Sequence, residues 1–295
     1  MGKRQWVIVR ALAYTLYGLA AFLVFLYIMF PYDLLRQRIV AQFPRQDLQL
    51  TIAKLRPDFP PGVEFQQIRL LTPQAASARA LAHIDSLQAQ PNFFALAARM
   101  LDIQLAARLY SGQLAGNVRT EMANGTSPWE LQAHFSDLQV EQHPLAQKDN
   151  TAFLRGRLEG DITATLDNAG LLQQGVVNLR MQPLVFVGNE GLQLPLQREI
   201  TCDSLQSQLQ LKAGQLQLVS FNCRGDDLAI QARGTIQWQQ PLRDSAVDLH
   251  VQMRSEATFK QEIDLIGTLI RRRPDRRGVL SFSIRGTLEQ PRFGA

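Results

Sequence analysis

Histidines, paired acids and cysteines are the side chains here that could do chemistry, so their spacing is tested first. The four histidines, His83, His134, His143 and His250, include no i, i+4 pair, no H-E-x-x-H and no Cys-His cluster. Asp226 and Asp227 are adjacent acids after Gly225, a pattern of turn chemistry more than of a paired acid and base. No G-x-S-x-G elbow, Walker loop or G-x-G-x-x-G is present. N-G-T at Asn124 matches a glycosylation acceptor, a pattern common by chance. No catalytic, metal or cofactor residue is therefore expected, and the chain is not expected to be an enzyme.

Two features keep a functional and a plain reading open. Cys202 and Cys223 would be bridged in an oxidising compartment and would be two buried thiols in a reducing one. DSLQSQLQLKAGQLQLVSFN, between them, reads as two strands about Ala213 and Gly214. A two-residue loop there pairs Leu211 with Leu216 and sets Cys202 opposite Gly225 and Cys223 opposite Ser204. The sulfurs are then two residues out of step, and a bulge or a longer loop is needed to join them. IRRRPDRRG (270–278) carries Arg271, Arg272, Arg273, Arg276 and Arg277 between LIGTLI and VLSFSI. It is either a solvated loop tip or a contact for anionic headgroups or an acidic partner, weakened by salt. The preceding FKQEIDLIGTLI reads as a helix that presents it.

The elements that must position these residues begin with a membrane anchor. Residues 11–32 contain no charge, closed by Arg10 and Asp33. At about 1.5 Å per residue they span a hydrocarbon core. Pro31, Tyr32, Asp33, Leu34 and Leu35 hold no small-x-small cleavage pattern, so an uncleaved signal anchor is expected. Basic residues flank it evenly (Lys3, Arg4 and Arg10 before; Arg36, Arg38 and Arg45 after), and length decides the orientation. Residues 1–10 form a cytoplasmic tail and 33–45 a juxtamembrane helix capped by Asp33, along the membrane or continuing the anchor. Residues 46–295 form one extracytoplasmic domain. Charged residues make up 19% of the 295, below the usual quarter, with Gln supplying polar surface. With a net charge of +5 and no recognisable nucleic-acid module, nucleic acid is not an expected partner.

From residue 46 the pattern alternates with period two: LQLTIAKL, VEFQQIRLL, ALAHIDSLQAQ, then DIQLAARLYSGQLAGNVRTEM as a hairpin about Ser111 and Gly112. PNFFALAARM (91–100) reads as the interior helix, with Pro91 in its first turn. WELQAHFSDLQVE, FLRGRLEGDITATLD and QQGVVNLRMQPLVFVG continue the strands. In the last third Leu209, Leu211, Leu216 and Leu218 alternate with Gln, and Ile230, Ile236 and Trp238, then Val247, Leu249, Val251 and Met253, then Phe282 and Ile284, share faces. A sandwich core and an open groove would both give this alternation.

Two stretches carry a resemblance. YTLYGLAAFLVFLYIMFPYDLLRQRI, with its tyrosines, FPYD exit and short basic helix, resembles the start of the protein N component of bacterial type II secretion systems, in its delta-proteobacterial form. The R-G-T-hydrophobic steps at 233–236 and 285–288, and the ending Gly286, Thr287, Leu288 and Pro291, resemble the closing region of the AsmA-like and secretion protein N group. The resemblance implies a mainly β chain: a transmembrane helix, then a long, curved, open antiparallel sheet forming a groove, with one or two short helices. It implies an accessory or assembly component of type II protein secretion in the inner membrane, N-terminus cytoplasmic and main domain periplasmic. Its partners would be other inner-membrane components or the secretin, and membrane lipids. The alternative is an AsmA-like envelope protein that carries or shields phospholipid. The expected groove lining is Leu209, Leu211, Leu218, Ile230, Ile236, Val247, Leu249, Val251, Phe282 and Ile284, and a glutamate at Val251 or Phe282 is expected to leave the fold intact.

Overall fold

The computed structural model describes the chain except residues 1–9, 11–12, 19–20, 23–24, 26, 28, 43–48, 59–61, 73–78, 123–126, 145–146, 149–150, 153, 169–170, 187–198, 213, 227, 238, 240–243, 256–262, 265–266, 269, 271, 289 and 295. Parts of the 11–32 stretch, the end of 33–45, and Asn124, Asp227, Trp238 and Arg271 thus lie outside the described residues. Positions 10, 13–18, 21–22, 25, 27 and 29 are helical. Among the described residues no helix is long and apolar enough to cross a membrane.

Period-two sequence gives strands, and nearly all the described chain is strand. In order they are α1 (Tyr32–Gln42), β1 (Gln49–Asp58), β2 (Gly62–Thr72), β3 (Arg79–Pro91), α2 (Phe93–Ala97), β4 (Met100–Leu109), β5 (Gly112–Glu121) and β6 (Trp129–Gln139). A 3-10 turn (Val140–Gln142) and the small hairpin β7 (Gln147–Lys148) and β8 (Thr151–Ala152) follow, then β9 (Leu154–Leu166), β10 (Leu172–Phe186) and β11 (Ile200–Cys202). The chain ends with β12 (Ser204–Lys212), β13 (Gln215–Arg224), β14 (Leu228–Gln237), β15 (Ala246–Ser255), β16 (Val279–Thr287) and β17 (Pro291–Gly294).

Among the described residues 15 of these strands make one open antiparallel sheet, in the order β1-β2-β3-β4-β5-β6-β9-β10-β12-β13-β14-β15-β16-β17, with β11 paired to β10. At about 4.8 Å per strand it is on the order of 60 Å broad. Apart from β11, which also packs on β14, each strand packs chiefly on its ladder neighbours, and no second sheet lies over the sheet among the described residues. The connections therefore fall alternately on two rims. The β1–β2 turn, α2 and the β9–β10 and β12–β13 turns lie on one; the β4–β5 turn, the 187–199 connection and the 256–278 connection lie on the other.

The open edges are treated differently. α1 lies on β1, and the Arg36 guanidinium donates to the carbonyl oxygen of Ala53 at 2.6 Å. This occupies a backbone acceptor that an edge strand would otherwise present to another chain. The helix expected beside a membrane thus has a contact surface on the sheet. It begins at Tyr32, so Asp33 sits inside its first turn rather than capping it. At the other edge β17 is short and opens with Pro291.

Local chemistry moves two boundaries. The helix expected at 91–100 is only Phe93–Ala97, because Pro91 pairs with Ile103 as the last residue of β3 and Met100 with Glu121 in β4. Asn92 caps it, its Oδ1 accepting from the Phe94 N–H at 3.2 Å. The hairpin expected about Ser111 and Gly112 turns instead on Tyr110 and Ser111, both at positive φ (49° and 60°), with Gly112 already paired to Leu109. That left-handed pair matches strand twist but is costly for a tyrosine. Tyr110 is held there by burial, by its hydroxyl accepting from the His83 N–H at 3.0 Å, and by ring contact with His143 at 5.0 Å.

Candidate functional site: an uncovered apolar sheet face

Side chains of paired residues in neighbouring strands stand on the same face, so the register decides whether separate alternations merge. Here they do. One row runs Pro57, Val63, Ala89, Leu105, Gly116, Ala133, Ile162 and Val177, then Leu209, Leu218, Gly234, Leu249, Ile284 and Phe293. Every member is apolar or glycine, from one end of the sheet to the other. The row beside it, from Ala107 through Leu114, Phe135, Gly160, Leu179, Phe221, Ala232 and Val251 to Phe282, is interrupted by one polar residue, Ser207. Gln104, Asn117, Gln132, Asp161, Asn178, Gln208 and Gln231 alternate on the opposite face. Glycines on the apolar face mark close backbone approach: a β-carbon on Gly160 would run into the carbonyl of Asn178, and one on Gly234 (φ 151°) into that of Asp248.

Among the described residues the face is closed most fully toward the rim that carries 256–278. There Ile263 completes a buried cluster with Ile200, Leu228, Val251, Met253, Leu280 and Phe282. Val251 and Phe282, expected to line an open groove, are core residues, and so is Val247. For Val251 and Phe282 the cause is Ile263, which packs onto them from the connection between β15 and β16. Burial at Val251 and Phe282 argues against glutamate being tolerated there. Leu209, Leu211, Leu218, Ile230, Ile236, Leu249 and Ile284 are partly exposed. So are Leu105, Leu131, Ile162 and Val177, which extend the same face across β4 to β10 and were not singled out from the sequence. Their signal was present: DIQLAARL and WELQAHF alternate just as the C-terminal strands do.

Cys202 and Cys223 form a disulfide with Cα atoms 5.8 Å apart, 0% and 1% exposed, in a cluster with Met181, Leu184 and Leu205. The route differs from the one expected. β12 and β13 do contain a bulge, since Gln208 faces Ser220 while Leu209 faces Leu218. It moves Cys223 opposite Leu205, further out of step with Cys202. The bend at Asp203 supplies the join: it frees Cys202 to pair with Leu184 of β10 and lays the backbone of Thr201 and Cys202 against Gly225.

The arginine loop lies at the rim with Ile263, near the far end of the strand order from β1. The Asp275 carboxylate accepts from the Val279 N–H at 2.9 Å and the Arg277 N–H at 2.8 Å. Those backbone bonds, to Val279 first, hold its pKa below the ordinary carboxylate value. Arg273, Arg276 and Arg277 are exposed and Arg272 partly so; Arg271 is outside the described residues.

The polar face offers depressions lined by amide and charged side chains. One of about 460 Å³ is lined by Gln88, Gln90, Asp102, Gln104, Asn117 and Arg119, and one of about 350 Å³ by His134, Asp161, Arg180 and their neighbours. The His134 ring contacts Asp161 at 2.9 Å in an exposed pair, and His83 contacts Asp85 at 3.1 Å. Among the described residues no group of His, Cys, Asp and Glu could hold a metal ion. Set against known proteins, the chain matches no family model, no curated protein and no solved structure.

Proposed function

We propose that this chain is a single-pass inner-membrane accessory component of type II protein secretion, whose periplasmic domain offers a long apolar trough to a ligand or partner. The observation that supports the reading is the unbroken apolar row across the sheet with no second layer on it among the described residues. A soluble domain gains by covering such a face, so one left open over this breadth is a binding surface. Residues 11–32 serve as the span, with 1–10 cytoplasmic and 46–295 periplasmic, where a disulfide persists. The arginine loop, remote from β1, is assigned to an acidic partner in the apparatus, among inner-membrane components or the secretin. The protein works by binding and not by catalysis.

A second reading, an AsmA-like shield for phospholipid, is favoured by one feature. The row has almost no side-chain hydrogen-bonding group, so it leaves a peptide's backbone groups unsatisfied but suits acyl chains. Deletion of the gene in its source bacterium, with complementation, tests the first reading. Lost export of secreted proteins, restored by the wild-type gene and not by Ile162→Glu, is expected, and unchanged export overturns it. Export unchanged together with altered envelope lipid, or phospholipid retained stoichiometrically by the purified protein, selects the second. A periplasm-active reporter joined after Gly294 is expected to be active; activity only of a cytoplasmic reporter removes both.

A further inference from the structure

The end of the apolar stretch is tied directly to the domain. The Tyr27 hydroxyl lies between the carbonyl oxygens of Asp58 and Gly62, the latter at 2.8 Å, and shares its one proton with them on the β1–β2 turn. The Asp58 carboxylate in turn accepts from Gln90 Nε2 at 3.1 Å, two residues before the cap of α2. α2 therefore stands beside the point where residues 11–32 join the domain. It has no buried residue: Phe93, Phe94 and Leu96 are exposed, Phe94 to 91%. Met100 and Met122 extend the patch across adjacent strand ends, linked through the Met122 N–H to the Arg99 carbonyl at 2.8 Å.

The mount beneath this patch is built. Buried Asp102 accepts from Asn92 Nδ2 at 3.3 Å and from Arg119 Nε at 3.2 Å, and its carbonyl accepts from the Asn92 N–H at 2.8 Å. The capping residue of α2 is thus fixed to β4 while the phenylalanines point away from the protein.

We propose that α2 is a membrane foot: Phe93, Phe94 and Leu96, with Met100 and Met122, insert into the interface of the same bilayer that holds residues 11–32. The inference rests on reading that stretch as a span. Geometry selects lipid as the occupant. Tyr27 precedes Asp33, the first charge after the stretch, by only six residues, and the helix breaks at Phe30 and Pro31 between them. A turn bonded to Tyr27 therefore sits at headgroup depth, and interfacial side chains reach about 5–10 Å into that layer. With no room left between domain and bilayer on this side, the exposed rings meet lipid. Span and foot together fix the domain at two points, which sets the β1 end of the apolar face against the membrane.

The test uses the full chain with single substitutions Leu16→Cys, Phe94→Cys or Arg276→Cys, each labelled with a nitrobenzoxadiazole maleimide. Cys202 and Cys223, being paired, do not take up the label. The proteins are placed in phosphatidylcholine–phosphatidylglycerol nanodiscs containing acyl-chain spin-labelled lipid. Blue-shifted emission and loss of most of it are expected at positions 16 and 94, with emission retained at 276. Quenching at 16 with position 94 behaving like 276 overturns the foot and leaves the span intact. No quenching at 16 overturns the span, and the foot with it.

Discussion

Leu280→Ala and Leu131→Ala delete the same atoms from one sheet face, in its closed and open parts. Leu280 is 0% exposed and packed with Leu228, Met253, Ile263 and Phe282. Truncation there leaves a dry cavity, and Leu→Ala changes of that kind cost about 2–5 kcal/mol. Leu131 is partly exposed, so water fills the vacated space and only part of the full transfer term is lost, about 1 kcal/mol. The expected gap of about 2 kcal/mol is a sizeable part of a domain's usual 5–15 kcal/mol. Urea denaturation of the nanodisc-held protein, followed by circular dichroism, reads both midpoints. Losses equal within about 0.5 kcal/mol, the usual limit of additivity between sites, would refute the open middle of the face. The charged versions sharpen the contrast. Val251→Glu places a carboxylate in the closed cluster at a cost of several kcal/mol and is expected to unfold the domain. Ile162→Glu keeps its water and is expected to leave the midpoint near wild type.

Reduction of the Cys202–Cys223 bridge is expected to lower stability by about 3 kcal/mol, and a thermal midpoint indifferent to reductant would show that no bridge exists. His143 is held below its ordinary pKa of 6.5 by burial. The native state then binds fewer protons than the unfolded chain, so stability is expected to fall as pH drops below about 6.5. His143→Gln should flatten that decline, and denaturation midpoints at pH 7 and pH 5 for both proteins check it. Gly160→Ala, whose β-carbon would meet the Asn178 carbonyl and the Phe135 ring, is expected to cost about 1–3 kcal/mol. Gly175→Ala, with its nearest neighbour at 3.2 Å, is expected to cost less, and equal midpoints would remove the close-approach argument.

Alternation of Leu with Gln, as at Leu209 and Leu211, announced strands and one apolar side, because side-chain direction has period two along any strand. Whether that side was covered depends on what packs over it, and alternation carries no information about that. Ile263 illustrates the difficulty: nothing about IDLIGTLI says it folds back over Val251 and Phe282. The α2 boundary was misjudged because Phe93, Phe94, Leu96 and Ala97 match a helical apolar stripe. That stripe faces outward, and its short length comes from the pairing of Pro91 and Met100 in flanking strands. The bend at Asp203 was beyond reach for a similar reason, since it serves a partner strand, β10, distant in the chain.

Because the strands on the main path lean chiefly on their two ladder neighbours, the sheet behaves much as a linear array. A whole hairpin could be gained or lost during descent and the remaining rows would still join, since two strands added together preserve both direction and face. Loss of a single residue within a strand would instead invert every side chain beyond it. The number of hairpins is then a freely adjustable ruler, and the reach of the apolar face could be retuned by duplication without redesigning any one strand.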